Sequence, residues 1–226
     1  MPFLAIETSS EYLSFAVDMP SGIVSREWLA GQKQSEITLP YLQVFLDELG
    51  LSMQDISGIA YPSGPGSFTG LRIGCGITQG LAFARNIPVV GISTLAAIAE
   101  ASGVIRVVSC IDARMNQVYF ASFERVNGDW QEVIPALVCN PEDVPLPVGN
   151  DWLGVGNGFA AYTETLNARL GECVTEIKAD LYPHAAQLLA LALPVFAAGQ
   201  GQPAHEAELV YLRDKVALKT HERVKK

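Results

Sequence analysis

The stretch Pro62-Ser-Gly-Pro-Gly-Ser-Phe-Thr-Gly70 carries residues that could hold an anion. It lies between an apolar run and a helix-like run, so a loop and a helix N-terminus there would aim backbone N–H groups and a positive dipole end at a phosphate. Gly64 and Gly66 allow left-handed or close-approach backbone, and the hydroxyls of Ser63, Ser67 and Thr69 add donors. Two templates do not fit: no lysine stands where GxxxxGK[ST] needs one, and the GxGxxG spacing is absent. The other reading is a tight corner followed by a capped helix. On the residues alone both stay open. The carboxylates that could face a nucleotide are Glu7, followed by Thr8 and Ser9, and Asp112, each near the end of a strand-like run. With Gly64, Gly66 and Ser67 they make up the candidate nucleotide set.

Other chemistries find little support. His184, His205 and His221 lie far apart without HxxH or HExxH spacing, so no metal site is expected. No GxSxG elbow occurs and the histidines come late in the chain, which argues against a peptidase. Cys75, Cys110, Cys139 and Cys173 show no CxxC spacing and sit in or beside apolar segments, which predicts reduced thiols and a cytoplasmic protein. The start MPFLAIETSS has no basic region, and apolar runs break before about 18 residues, so neither secretion nor a membrane span is expected. A net charge of −9 argues against a free-standing nucleic-acid binder. The balance is uneven: from Arg213 to Lys226 six basic residues face two acidic ones, a local +4 that leaves −13 for the rest. That end reads as a solvated tail or as an arm for RNA or an acidic partner.

The elements that must position these residues come in two passes. Phe3 to Thr8, Tyr12 to Val17 and Gly22 to Leu29 read as a three-stranded meander. A helix over about 35–49 with Ser35 as N-cap follows, then a strand at Ile56 to Tyr61, the glycine loop, a helix from Phe68 to Arg85, a strand at Pro88 to Ile92 and a helix capped by Ser93. Val104 to Asp112, Gln117 to Arg125 and Trp130 to Val138 restart the meander. Trp152 to Val155 is a further strand, and Asn157 to Leu170 and Pro183 to Ala198 are helices. AIETSSEYLSFAV and CIDARMNQVYFASF each place an acid at a strand end before a polar turn and an alternating strand. Strands with helices on both faces make an α/β architecture, and a unit duplicated in this order is the plan of actin-like folds. In the second helix Gly70 and Gly74, then Gly76 and Gly80, recur at four-residue spacing, each at a cost of up to about 1 kcal/mol against Ala. Close packing on the chain's own sheet and a seam to another subunit are both open accounts, and the two are compatible on different faces.

GPGSFTGLRIG at 64–74, IDARMNQVY at 111–119, GVGNG at 154–158 and VYLRDKVA at 210–217, after the AIETSS opening, together resemble the TsaB (YeaZ-like) family over essentially the whole chain. The resemblance implies an α/β, actin-like (ribonuclease-H-like) ATPase fold of two similar subdomains, each a mixed sheet flanked by helices. Residues 1–102 would hold the interface helices and glycine loop, and 103–226 the second subdomain with the basic tail. It further implies a non-catalytic partner of TsaD, required for the N6-threonylcarbamoyl modification of adenosine 37 in ANN-decoding tRNAs. Such a chain forms a heterodimer with TsaD, recruits TsaE, pairs with itself when TsaD is absent, and meets tRNA only through the complex. No catalytic residue, no metal and no cofactor of its own are implied; ATP or ADP would sit at a subunit junction. The histidine pair with which TsaD-like enzymes hold a metal has no counterpart here before His184. The partner surface is expected on the helices at about 35–49 and 68–85, through Leu39, Leu42, Leu46, Phe68, Gly70, Leu71, Gly74 and Ile77. Members often carry Asp in place of Glu7, His in place of Gln34 and Pro in place of Leu209. The competing function is an ATPase or kinase of the actin-like class, working through Glu7, Thr8, Ser9 and Asp112.

Overall fold

The computed structural model describes residues 1–213; the tail from Asp214 onward, and whatever it contacts, lies outside them. Ten strands form two five-stranded sheets. In the first, β1 (Leu4–Glu7), β2 (Tyr12–Met19) and β3 (Gly22–Leu29) make an antiparallel meander, and β4 (Ile59–Gly64) and β5 (Val89–Ser93) extend it in parallel from β1, in the order β3-β2-β1-β4-β5. The second repeats the plan: β6 (Arg106–Arg114), β7 (Gln117–Val126) and β8 (Asp129–Cys139) meander, and β9 (Trp152–Val155) and β10 (Val174–Lys178) run parallel to β6. This duplicated arrangement, with a cleft between the halves, is the actin-like fold.

Six helices cover the sheets: α1 (Gln34–Glu48), α2 (Phe68–Arg85), α3 (Thr94–Ser102), α4 (Gly158–Ala161), α5 (Thr163–Leu170) and α6 (Ala185–Ala197). Two-residue alternation decides which meets which face. Leu4, Ile6, Leu13 and Phe15 point outward into a core with Leu42, Phe45 and Leu46 of α1 and Cys75 and Ala82 of α2. The intervening Ala5 and Ala16, with Ala60, give the opposite face a small-residue floor on which α6 packs through Leu188, Leu189 and Ala192. Helix α3 sets Leu95, Ile98 and Ala99 against Val107, Phe123 and Leu153 of the second sheet. A cut after residue 102 therefore separates the sheets but not the packing, since α6 lies on the first sheet.

Three local expectations change. Ser35 is not a cap: α1 starts at Gln34, and Lys33 at the capping position makes no side-chain bond. The helix expected from Asn157 to Leu170 breaks at Tyr162, where the Thr163 hydroxyl donates to the carbonyls of Phe159 (2.8 Å) and Ala160 (3.2 Å) and competes with helix continuation. Strand β4 runs on through Pro62 and Ser63 to Gly64, past Ala60 where its pairing with β1 ends, so the missing proline N–H costs no bond on that side. The glycine loop shrinks to Pro65–Ser67.

Candidate functional site

A cleft of about 710 Å³ opens between the halves. The turn after β1 and the start of α2 wall it on one side, the β6–β7 turn on the other, and Val210 to Arg213 border it. Of the candidate nucleotide set, Ser9, Gly66, Ser67 and Asp112 line this space. Glu7 and Thr8 are fully buried, and Gly64 packs under the Val210 carbonyl.

The two turns are built alike. Glu7 Oε1 accepts from the Ser9 amide, two residues on, and Asp112 Oδ1 accepts from the Arg114 amide, also two residues on, at 2.8 Å. Each turn is then tied to the strand–helix corner beside it: the Ser67 amide donates to the Ser9 carbonyl (2.8 Å), and the Asp112 amide donates to Asn157 Oδ1 (3.0 Å). The repeated acid in AIETSS and CIDARM is thus a turn cap. This arrangement fits a polyphosphate badly, because a carboxyl oxygen already occupies the Ser9 and Arg114 amides that an incoming phosphate would need. Burial raises the Glu7 carboxyl from its ordinary 4.5 to about 7, against the hydrogen bonds from Ser9 and Thr8 that pull it down. Its second oxygen, Oε2, has no partner among the described residues, a further reason for that acid to hold its proton. Among the described residues no group of three or more His, Cys, Asp or Glu could hold a metal.

Ser67 caps α2, its Oγ accepting from the Gly70 amide at 3.3 Å. The helix then runs tight against the β1–β2 turn. Thr8 Oγ1 donates to the Gly70 carbonyl at 2.8 Å, a Cβ at Gly70 would overlap the Thr8 carbonyl, and one at Gly74 would overlap Thr8 Oγ1. The buried Gln34 joins this contact from α1, its amide donating to the carbonyls of Ser10 (2.7 Å) and Tyr12 (3.2 Å). Several expected partner-surface residues are therefore internal: Gly70 and Gly74 accommodate Thr8, and Leu42, Leu46 and Leu71 sit in the chain's own core. Leu39 and Phe68 are exposed and Ile77 is half-buried.

What α2 shows to solvent is a different stripe. Gly76 and Gly80 meet nothing among the described residues within 4 Å of a Cβ built on either. Ile73 and Ile77 flank them half-buried, and Phe83 is 78% exposed. On α1, which packs beside α2, Leu39 and Val44 are each 51% exposed. The glycine pairs 70/74 and 76/80 stand six residues apart, about 240° around a helix, and that angle was the signal that they serve different faces. Phe83 carried no such signal.

Single residues settle similarly. Arg72 lies over the Phe68 ring (3.9 Å to the centroid), its Nε donating to the Tyr211 hydroxyl at 3.2 Å. Arg114 and Asp112 form a pair at 3.1 Å and also line the cleft. All four cysteines are free, and burial pushes the Cys110 thiol up and the Cys139 thiol up to about 11. No helix among the described residues is long and apolar enough to cross a membrane.

Comparison with known proteins places this architecture among relatives. A family model described as TsaD, tRNA N6-adenosine threonylcarbamoyltransferase, matches residues 17–219. The tRNA threonylcarbamoyladenosine biosynthesis protein TsaB of Escherichia coli is 37% identical, the match covering 97% of each chain. The protein of that name from Haemophilus influenzae is 35% identical over 97% of this chain and 96% of its own. Among solved structures, YeaZ from Pseudomonas aeruginosa superposes with a TM-score of 0.85 at 35% identity, covering 93% of this chain and 99% of that one.

Proposed function

The chain belongs to the TsaB family of tRNA threonylcarbamoyladenosine biosynthesis proteins, and on that premise we propose that it serves this tRNA modification as a docking subunit without chemistry in its own cleft. The observation that carries the reading is the pair Gly76 and Gly80. Each costs up to about 1 kcal/mol in a helix interior against Ala, and among the described residues no contact needs either. A neighbouring backbone coming close to the α2 stripe supplies the reason. Phe83, Leu39 and Val44 provide the apolar surround.

The partner is a TsaD-type protein. Because the TsaD family model matches this chain, the two would share a fold and could present equivalent helix pairs, giving a pseudo-symmetric contact between them. A second copy of this chain offers the same pair, so a homodimer forms when TsaD is absent and gives way when it is present. TsaE joins the assembled pair, tRNA is met through the complex, and the whole works in the cytoplasm. An ATPase or kinase has the size of the cleft in its favour, but both turns that would take phosphates are closed by Glu7 and Asp112. ATP or ADP belongs instead to a junction between subunits.

Light scattering after size-exclusion chromatography, on this chain alone and mixed with TsaD of the same organism, tests the reading. A dimer of the chain that converts to a one-to-one heterodimer is the expected result. No change on mixing, with both proteins folded, would sink it.

A further inference from the structure

After α6 the chain returns along the first half and is fastened there at each step. The Gln202 amide donates to the Val89 carbonyl and the Val89 amide to the Gln202 carbonyl, both at 2.8 Å. Gln79 Nε2 donates to the Ala207 carbonyl at 3.1 Å, the Glu208 amide donates to the Tyr61 hydroxyl at 2.9 Å, and the Val210 amide donates to the Ser63 carbonyl at 2.8 Å. The Tyr211 ring lies 5.9 Å from that of Phe68, at the first turn of α2. Two residues later Arg213 reaches the second half. Its Nη1 donates to the Ala113 carbonyl at 2.9 Å, and its Nη2 to Gln117 Oε1 at 2.7 Å and the Arg114 carbonyl at 3.3 Å.

The turn that receives Arg213 is the most unusual backbone in the described residues. Arg114, Met115 and Asn116 stand in a row at φ 60, 56 and 57. The other non-glycine residues at positive φ are Asn86, Asn127 and Asp151, whose short polar side chains tolerate that conformation. Met115 and Asn116 form the two-residue loop between the paired Arg114 and Gln117, where a tight hairpin favours positive φ at both positions. Arg114 extends the left-handed run by one residue beside the irregularity in β6, and a long side chain there persists only where the surroundings hold it.

We propose that Arg213 is a positioning residue: a latch that holds residues 113–117 in their left-handed turn and ties the cleft to the partner-facing helix α2 through residues 207–212. A guanidinium suits the task because its planar fork meets two carbonyls and an amide oxygen at once, whereas an ammonium is a single point. The link to α2 rests on the docking reading; the latch itself does not. When a partner displaces Tyr211 from Phe68 and Arg72, the latch releases and the β6–β7 wall of the cleft moves.

Amide hydrogen exchange on the full chain alone is the test, with chromatographic elution and exchange across β1–β5 as controls for folding. Arg213→Ala should speed exchange over residues 113–118 by at least about tenfold while β1–β5 stay as in the parent. Adding Met115→Gly should return that segment to within about threefold of the parent, since glycine takes up the turn unaided. Should Arg213→Ala fail to fold, Arg213→Lys is read in its place, because it keeps the stem and charge but loses the fork. Unchanged exchange over 113–118 overturns the latch, and so does faster exchange that Met115→Gly does not reverse. Light scattering of the same variants with TsaD reports separately on docking, so one idea can fail while the other stands.

Discussion

Between β3 and β4 the first half carries the 15-residue helix α1, and after β4 the 18-residue helix α2. At the same places the second half has a 3-10 turn at Pro141–Asp143 and then two short helices, α4 and α5, of 4 and 8 residues. That modest cover suffices: Phe159, Leu166, Leu170 and Val144 close the outer face of the second sheet over Val108, Phe120 and Trp152. The topology therefore does not demand two long helices, and their extra length in the first half adds an outward surface to the core that they also fill. The glycines repeat the contrast. In β9 a Cβ at Gly154 would crowd the Phe159 ring, and in the corner after it one at Gly158 would crowd Cys110, so both have internal reasons. Gly76 and Gly80 have none among the described residues.

Side chains placed on the two glycine faces of α2 should have opposite effects on stability. Gly70→Val forces a branched side chain into the Thr8 carbonyl and should cost at least about 4 kcal/mol in urea unfolding. Gly80→Ala should instead stabilise the isolated protomer by up to about 1 kcal/mol. Equal effects at the two sites would erase the distinction between an internal and an external face.

The two turns can be compared through their acids. Burial raises the folded-state pKa of Glu7 from 4.5 to about 7, so its contribution is complete below the unfolded value and is lost as pH rises through about 7. Glu7→Gln keeps an acceptor for the Ser9 amide but cannot ionise. Its stability relative to the parent should rise by up to about 3 kcal/mol between about pH 4.5 and about pH 8, followed by thermal unfolding at several pH values. A flat difference would mean that Glu7 is not held neutral by burial. Smallest is the cap: Ser67→Ala removes the bond to the Gly70 amide and should cost about 1 kcal/mol. The shorter helices of the second half have no side-chain cap to lose.

Much of this was legible in the sequence, for physical reasons. Alternation through Leu4, Ala5 and Ile6 marks a strand buried on both faces, and the recurrence of acid, turn and strand at Asp112 marks the second pass. Strand β10 escaped notice because it is short and mostly exposed, with Val174 its one buried residue. Leu42 and Leu46 were not legible as internal for a related reason: α1 is apolar on both sides, Leu42 and Leu46 inward and Leu39 and Val44 outward. Periodicity finds apolar positions but not which of two apolar faces meets the chain's own sheet. The end that begins at Arg213 read as a solvated tail or as an arm for RNA or an acidic partner, whereas the acceptors of Arg213 lie 96 to 100 residues away in the chain. No local pattern encodes a bond of that separation.

The central claim is that this chain supports threonylcarbamoyladenosine formation by docking and not through its own cleft. The most direct measurement is the threonylcarbamoyladenosine content of tRNA from cells depleted of the chain and supplied with variants, read by nucleoside mass spectrometry. Glu7→Gln and Asp112→Asn should restore the modification as the parent does, whereas Gly80→Glu, a folded protein with a charge on the seam, should not. Loss of modification with Glu7→Gln or Asp112→Asn while pairing with TsaD persists, or full restoration by Gly80→Glu, would contradict the account.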